Sequence, residues 1–264
     1  TVGEVNIAVV GKYFDTGDFV LSDAYLSVIE AIKYSAYNLG VKANLTWVNA
    51  KEFEDKKKKV DELKKFDGIL VPGGFGESGI LGKLKAIEYA RIHKIPYFGL
   101  CYGMQLLVIE YARNVLGFKD ANTAEINPNA EKVVIDIMPE QKKHLAEGRY
   151  GASMRLGAYH AHLVKGSLAE KAYGVDTISE RHRHRYEVNP AYVGELASAG
   201  LVFSGTSPDG SLCEIAELST DTHPFFLGTQ FHPELKARPL HPHPLFTAFV
   251  KASIARGNGK GKRK

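Results

Sequence analysis

Short apolar runs alternate with helix-periodic segments over the first 117 residues of the chain. The apolar runs occupy residues 7–10, 45–48, 68–71 and 96–100. Between them, residues 25–39 and 81–93 repeat apolar positions every three or four residues, as amphipathic helices do, and a lysine-rich helix is predicted over 55–66. Strands joined by helices of this length need crossover connections, which produce parallel strands. We therefore predict an α/β fold with a mostly parallel central sheet flanked by helices.

The second half of the chain contains shorter apolar runs that are typical of strands. These runs occupy residues 133–138, 201–204, 212–218 and 224–231. We expect them to extend or flank the sheet, and we predict a last helix over 244–255. The glycines and like charges of residues 257–264 cannot build a core. We therefore predict one domain over residues 1–256, followed by a basic, disordered tail.

The composition is that of an ordinary globular protein, with 44% hydrophobic and 24% charged residues. The net charge of +4 equals the charge of the tail residues Lys260, Lys262, Arg263 and Lys264, so 30 basic and 30 acidic residues remain elsewhere. This balance gives little support to nucleic-acid binding. No apolar stretch approaches the ~20 residues of a membrane-spanning helix, and no signal segment is recognisable. Because the chain begins at Thr1 and soon enters a strand, we expect a fragment of a longer protein.

The chain has two cysteines, Cys101 and Cys213, which are far apart in the sequence. Their spacing is not typical of a disulfide framework or of a metal site. We therefore expect a reducing compartment and a cytoplasmic location. Cys213 lies inside the strand-like segment SLCEIAEL, where we predict an inert thiol in the core.

Cys101 stands where a thiol is best placed to react. An apolar strand runs into Gly99-Leu-Cys-Tyr-Gly103, and a helix follows. Small residues two positions on either side of the cysteine allow a sharp turn that lifts its side chain above the sheet edge. The N-terminus of the helix favours the thiolate. The helix should bury Met104, Leu107, Val108, Tyr111 and Val115. The alternative is a buried structural thiol, the usual state of a lone cysteine.

Two further segments would complete a cysteine-dependent amidase. In TQFHPE, His232 and Glu234 follow an apolar strand and are two positions apart, so they project on one face. His232 would transfer protons and Glu234 would orient its ring. In PGGFG, a glycine turn exposes backbone amides at the end of the third strand, and Gly74 N–H with Tyr102 N–H would stabilise an oxyanion. Each segment alone is weak support, because such pairs and turns are common.

The segment RHRHR, residues 181–185, fits a strand with arginines on one face and histidines on the other. Taken alone it would suggest a metal site or a phosphate-binding patch. No cysteine or carboxylate cluster with ligand spacing accompanies it, so we expect no metal. The segment HPHP, residues 241–244, is interpreted as a proline-stiffened loop before the last helix.

PGGFG, GLCYGMQ and FHPE together resemble the motifs of the class I, or triad, glutamine amidotransferases, in that family's order and spacing. The match spans nearly the whole chain. Three further segments narrow the resemblance to the CTP synthases within that family: GKY with DAYLSVIEA, GASMRLGA, and ERHRHRYEVN. The resemblance implies a flavodoxin-like class I glutamine amidotransferase fold with additional antiparallel strands.

By this resemblance, Cys101 is the nucleophile, His232 the acid/base and Glu234 its orienting partner. Gly74 and Tyr102 form the oxyanion hole. The implied reaction is hydrolysis of L-glutamine to glutamate and ammonia through a cysteinyl thioester. An N-terminal synthetase domain, absent from this chain, would use the ammonia for ATP-dependent conversion of UTP to CTP in pyrimidine nucleotide biosynthesis.

The resemblance also implies ligands and partners. The residues that would bind glutamine are Gly74, Phe75, Tyr102, Gly103, Met104, Gln105, Glu125, Arg185 and Tyr186. Glu125 suits the ammonium group of glutamine and Arg185 suits its carboxylate. No cofactor is expected in this domain. The full-length enzyme is expected to need ATP and Mg²⁺, to use GTP as activator and to form a homotetramer, with no nucleic-acid or membrane partner.

Two features depart from the family pattern. Tyr102 stands where leucine is usual, and the loop between Lys12 and Asp23 is several residues longer than usual. Other functions also remain open: another triad-type glutamine amidotransferase, a γ-glutamyl hydrolase, or a catalytically idle regulatory module that uses the fold for assembly.

Overall fold

The structure is a computed structural model that describes residues 3–11, 25–137 and 154–261 of the chain. Within these residues nine strands form one large sheet and three form a small one. The strands are β1 (Gly3–Gly11), β2 (Val41–Asn49), β3 (Gly68–Val71), β4 (Tyr97–Leu100), β5 (Asn122–Thr123), β6 (Val133–Ile137), β7 (Arg155–Leu163), β8 (Thr177–His184), β9 (Tyr186–Val188), β10 (Val202–Thr206), β11 (Cys213–Glu217) and β12 (Phe226–Thr229). The α-helices are α1 (Leu26–Asn38), α2 (Lys51–Glu54), α3 (Ile80–Ile92), α4 (Tyr102–Asn114), α5 (Leu168–Tyr173), α6 (Pro190–Ser198) and α7 (Pro244–Gly261).

The large sheet has the order β2-β1-β3-β4-β12-β11-β10-β7-β8. Strands β2, β1, β3, β4 and β12 are parallel to one another. The remaining strands are antiparallel to their neighbours. The four strands predicted from the first 117 residues all belong to the parallel half, which confirms the α/β fold. The antiparallel half is larger than the apolar runs indicate, because the long strand β7 exposes much of both faces and so carries little apolar alternation.

Helices cover both faces of the sheet. One core contains the inner sides of α1 and α7, and the other contains those of α3 and α4. Every residue of β3, β4 and β12 is buried, as expected for central parallel strands that are covered on both faces. The carboxyl ends of these three strands therefore lie side by side at one edge, where sites collect in sheets of this kind.

Helix α4 is buried on nearly every side. Residues 102–112 are all buried, which confirms the predicted burial of Met104, Leu107, Val108 and Tyr111. Val115 is an exception, since it lies beyond the helix end and is 40% exposed. The burial is this complete because the sheet covers one side of α4, while α3 and β6 cover others.

Two predicted helices have different limits in the structure. Over 55–66 there is no α-helix: α2 ends at Glu54, Lys56 has a left-handed φ of 55°, and a short 3₁₀ helix follows over Val60–Lys65. The last helix continues past residue 255, so 257–261 are helical and the predicted tail is wrong there. Gly257 packs closely against Asp67, a contact that compensates for the low helix propensity of glycine. Residues 262–264 lie outside the described residues.

The strand predicted for RHRHR is confirmed over residues 181–184, while Arg185 lies between β8 and β9. In β8, Arg181 and Arg183 are exposed, while His182 and His184 are buried. No helix among the described residues has the length and apolar character that crossing a membrane requires.

Candidate active site

Cys101 occupies a tight turn between β4 and α4. Its backbone has a φ of 49°, a left-handed value that is rare outside glycine and that clusters at functional sites. Cys101 N donates a hydrogen bond to the carbonyl oxygen of Thr229, at the end of the neighbouring strand β12, at 2.6 Å. A Cβ on Gly99 would stand 2.6 Å from the carbonyl carbon of Gly103, and a Cβ on Gly103 would collide with the carbonyl oxygen of Val71. Both glycines are therefore needed for the sharp turn from β4 into α4 that the sequence predicts.

His232 and Glu234 follow the end of the neighbouring strand β12. Nδ1 of His232 lies 2.7 Å from Oε1 of Glu234. His232 and Cys101 both lie close to Gly73. A Cβ on Gly73 would stand 2.9 Å from Cε1 of His232 and 3.8 Å from Cβ of Cys101. The structure thus brings together three side chains that span more than 130 positions of sequence.

The electrostatics favour a charged imidazole. Burial lowers the pKa of His232, but hydrogen bonds to Cys101 and Glu234, together with the negative charges of both groups, outweigh burial and raise the pKa to about 11. The imidazole is therefore cationic near neutral pH, and it lies between the Cys101 sulfur and the Glu234 carboxyl group. This is the charge arrangement of an activated cysteine nucleophile.

The turn over residues 72–76, the oxyanion turn, follows β3 and faces Cys101. Its residue Gly74 and the first helical residue, Tyr102, both line the cavity that contains Cys101 and His232. The two residues whose amides are predicted to be oxyanion donors thus line the same cavity as Cys101. Such donors are effective because they are fixed before charge develops.

The cavity has a volume of about 550 Å³, within the range of small-molecule sites. Of the residues predicted to act or to bind glutamine, those that line it are Cys101, His232, Gly74, Phe75, Tyr102, Gln105, Glu125, Arg185 and Tyr186. Glu234 lies behind His232. Gly103 and Met104 do not line the cavity, because their position on the helix turns them towards Val71 and Gly228.

Charged groups of opposite sign line this cavity. Oε1 of Glu125 accepts a hydrogen bond from Gly76 N at 3.1 Å. Burial, followed by the charge of Glu125, raises the pKa of Tyr186, so the phenol stays neutral. Together with the guanidinium of Arg185, the carboxylate of Glu125 gives the cavity a charge pair that complements the ammonium and carboxylate of an amino acid.

Gln230 is a site residue that the sequence reasoning missed. It is fully buried, and its Nε2 lies 3.7 Å from Sγ of Cys101. Its Oε1 accepts from Nε2 of Gln105 at 3.4 Å. The signal was available, since Gln230 precedes His232 by two positions and can share its face of the chain. Gln230 does not line the cavity, but five residues that sequence reasoning missed do: Tyr25, Gly73, Met154, Arg183 and His184.

A buried polar network adjoins the cavity through His184. Nε2 of His184 lies 2.8 Å from Nδ1 of His182. Nη1 of Arg155 lies 2.6 Å from Oε1 of Glu214 and 3.5 Å from Oε1 of Glu187. Burial lowers the pKa of His182 to about 3 and raises the pKa of Glu214 to about 7. The histidines of β8 are therefore neutral.

Cys213 lies in β11 and is 6% exposed. Burial, then the charges of Glu187 and Glu214, raises the pKa of its thiol to about 12. It is neutral near pH 7, which supports the prediction of an inert core thiol. In the described part of the chain, no three His, Cys, Asp or Glu side chains are arranged to hold a metal ion. The loop between Lys12 and Asp23 and residues 151–153 of GASMRLGA lie outside the described residues.

Similar proteins of known family show where the chain belongs. The class-I glutamine amidotransferase family matches residues 20–252. CTP synthases from Caldanaerobacter subterraneus and Carboxydothermus hydrogenoformans are 54% and 52% identical, each over 95% of this chain and 45% of their own length. The chain therefore spans about half the length of these curated relatives.

A solved structure extends the comparison to three dimensions. The glutaminase domain of CTP synthase from Trypanosoma brucei, with bound acivicin, is 38% identical, with a TM-score of 0.85. The match covers 95% of this chain and 94% of that one. The chain belongs to the class I glutamine amidotransferase family, as a glutaminase domain of the CTP synthase type.

Proposed function

We propose that this chain hydrolyses L-glutamine with Cys101 as nucleophile, His232 as acid/base and Glu234 as the group that orients His232. The observation that carries the proposal is the position of Cys101: a strained strand-to-helix turn, in one cavity with an imidazole whose pKa is raised to about 11. In such a pair the thiolate is the nucleophile, and the imidazolium beside it supplies the proton that the leaving group needs.

In the first half-reaction, the thiolate of Cys101 attacks the carboxamide carbon of glutamine. The N–H groups of Gly74 and Tyr102 hold the oxyanion of the tetrahedral intermediate, and each is worth roughly 10²- to 10³-fold in rate. His232 gives its proton to the nitrogen, the C–N bond breaks, and ammonia leaves. The product is a glutamyl thioester on Cys101, with His232 neutral.

In the second half-reaction, neutral His232 takes a proton from water, and the resulting hydroxide attacks the thioester carbon. The C–S bond breaks, glutamate leaves, and the thiolate–imidazolium pair returns. Glu234 accepts a hydrogen bond from Nδ1 throughout, which leaves Nε2 for Cys101 and for water. Proton transfer of this kind contributes roughly 10²- to 10⁴-fold.

Glutamine is recognised through its two charged groups. We assign its ammonium to Glu125 and its carboxylate to Arg185, with Tyr186 and Gln105 at the border of the pocket. Gln105 is tied in place by a hydrogen bond from its Nε2 to the backbone oxygen of Tyr186 at 2.9 Å. Gln230 joins this set as a neighbour of the sulfur, because its Nε2 can donate to a thiolate.

In the longer protein, we propose that ammonia passes to an N-terminal synthetase domain that converts UTP to CTP. ATP and Mg²⁺ would be bound there, with GTP as activator, and the whole protein would be a cytoplasmic homotetramer. The support is the 45% of each curated relative's length that this chain covers. The sequence of this chain has no G-x-x-x-x-G-K-[ST] phosphate loop.

The deciding experiment compares Cys101→Ala with Cys213→Ala, measured by glutamate release from glutamine. We expect Cys101→Ala to lose more than ~10⁴-fold and Cys213→Ala to stay within about threefold of the parent. An electrophilic glutamine analogue should give a single adduct on Cys101 by mass spectrometry. Parental activity in Cys101→Ala, or an adduct on Cys213, contradicts the proposal. Preference for γ-glutamyl peptides over free glutamine would instead indicate a γ-glutamyl hydrolase.

A further inference from the structure

The side chain of Tyr102 connects helix α4 to the oxyanion turn. Tyr102 is the first residue of α4, immediately after Cys101, and it is 1% exposed. Its hydroxyl donates a hydrogen bond to the carbonyl oxygen of Gly76 at 3.1 Å. One side chain thus connects the two elements that carry the candidate oxyanion donors.

Gly76 is held at both of its backbone polar groups. Its carbonyl accepts from Tyr102, and its N–H donates to Oε1 of Glu125 at 3.1 Å. Its φ of 75° is in the left-handed region that favours glycine. The turn before it contains Gly73 and Gly74, which have little intrinsic stiffness. The anchor at Gly76 therefore limits the movement of the Gly74 amide two residues earlier.

A buried cation stands behind the same turn. Lys83 of α3 is 2% exposed, and its Nζ lies 5.3 Å from the ring centroid of Tyr102. Nζ is also 3.9 Å from the place that a Cβ on Gly74 would occupy. A cation over an aromatic ring is attracted to its face, so Lys83 holds the ring against the turn. Its Nζ therefore lies close to Gly74, whose amide is a candidate oxyanion donor.

We propose that Tyr102 and Lys83 are positioning residues that fix the Gly74 amide relative to Cys101, and so set the strength of the oxyanion hole. This inference rests on the proposed function. It assigns the side chain of Tyr102 a role separate from that of its backbone N–H. Oxyanion donors act mainly in the transition state, so loosening them lowers kcat and kcat/KM together and leaves KM unchanged.

The first test is Tyr102→Phe, which removes the hydroxyl and keeps both the amide and the ring. We expect kcat for glutamine hydrolysis to fall roughly 10-fold with KM within about twofold, because a small misplacement of a donor is costly. Tyr111→Phe is the matched control. Tyr111 lies on the same helix, donates to the carbonyl oxygen of Ala199 at 2.7 Å and has Arg91 over its ring, but lies outside the cavity. We expect its kcat to stay within about twofold of the parent.

The second test is Lys83→Met, with Lys85→Met as control on the same helix. We expect kcat to fall roughly 10-fold in the first and to stay within about twofold in the second. The double variant Tyr102→Phe/Lys83→Met should lose less than the product of the single losses, because both residues act on one turn. These variants also cover the case in which Tyr102→Phe fails to fold.

Alkylation by iodoacetamide separates positioning from thiolate activation. The reaction needs the thiolate of Cys101 but forms no oxyanion, so its rate should be unchanged in Tyr102→Phe and Lys83→Met. Loss of alkylation in parallel with kcat, or a kcat within twofold of the parent in both single variants, overturns the inference. If Cys101→Ala keeps parental activity, the proposed function itself has failed. If Cys101→Ala is inactive while both positioning variants are unaffected, only this inference has failed.

Discussion

Nδ1 of His232 lies 2.7 Å from Oε1 of Glu234, although neither residue is in a strand: His232 precedes a short 3₁₀ helix, Pro233–Leu235, that contains Glu234. The hydrogen bond fixes one nitrogen of the ring, so the other is available to Cys101. Glu234 is 8% exposed, and few alternative positions are open to its carboxylate. The orientation of the imidazole is therefore determined by packing as well as by charge.

Glu234→Gln tests this relationship. The amide keeps the size of the side chain but loses its charge, so the imidazolium is less stabilised and the ring can adopt the other tautomer. We expect kcat to fall roughly 10- to 100-fold, with little change in KM. Glu195→Gln, on the exposed face of α6, is the control. Equal activity in the two variants would show that Glu234 does not orient the base.

The raised pKa of His232 predicts a pH dependence of stability. Its folded pKa of about 11 exceeds the ordinary histidine pKa of 6.5, so its charged form contributes stability that is fully present below pH 6.5. This contribution is lost as pH rises from 6.5 through 11. We expect the difference in unfolding free energy between the parent and His232→Gln to shrink over this window in denaturant titrations. A difference that is constant or grows towards pH 10 contradicts the ion pair.

Much of the site could be predicted because its parts are local in sequence. The turn at Cys101 is encoded by two glycines between a strand and a helix, and the pair His232–Glu234 by a two-residue spacing. Gln230 shows the limit of such reasoning. Its two-residue spacing from His232 is a weak local signal, and its importance comes from the 3.7 Å contact with a sulfur 129 positions away.

In the fold too, locally encoded features were predictable and features that depend on distant residues were not. Central strands were predictable because burial on both faces requires continuous apolar runs. The antiparallel edge was harder, since β7 pairs with β8 while both expose charged or polar residues. The end of α7 was also missed, because the glycines of its last turns have low helix propensity, although Gly257 packs against the distant residue Asp67. Local propensity alone gives the wrong limit there.

Glu214 in β11 gives a second pH test that is independent of catalysis. Burial raises its pKa to about 7 and outweighs the opposite effect of Arg155. The other titratable groups near its carboxyl are Asp209, Glu187 and His182. A raised carboxyl pKa contributes stability that is present below pH 4.5 and is lost as pH rises through 7. We expect the unfolding free energy of the parent to fall across this window because of this group. Glu214→Gln should flatten that part of the curve; an unchanged slope would contradict the assignment.

Gly103 tests the geometry of the nucleophile turn without touching a chemical group. A Cβ at this position would collide with the carbonyl oxygen of Val71, which is backbone of a fully buried strand and cannot move aside. We expect Gly103→Ala to lose about 2 kcal/mol or more of unfolding free energy and most of the glutaminase activity. Gly194→Ala is the matched control, because Gly194 lies in α6 with nothing within 4 Å of its Cβ position. There alanine should stabilise by about 0.5–1 kcal/mol, since it has the higher helix propensity. Thermal unfolding and glutamate release, measured on both variants, test this contrast. If Gly103→Ala is as stable and as active as Gly194→Ala, the close approach of α4 to β3 is contradicted.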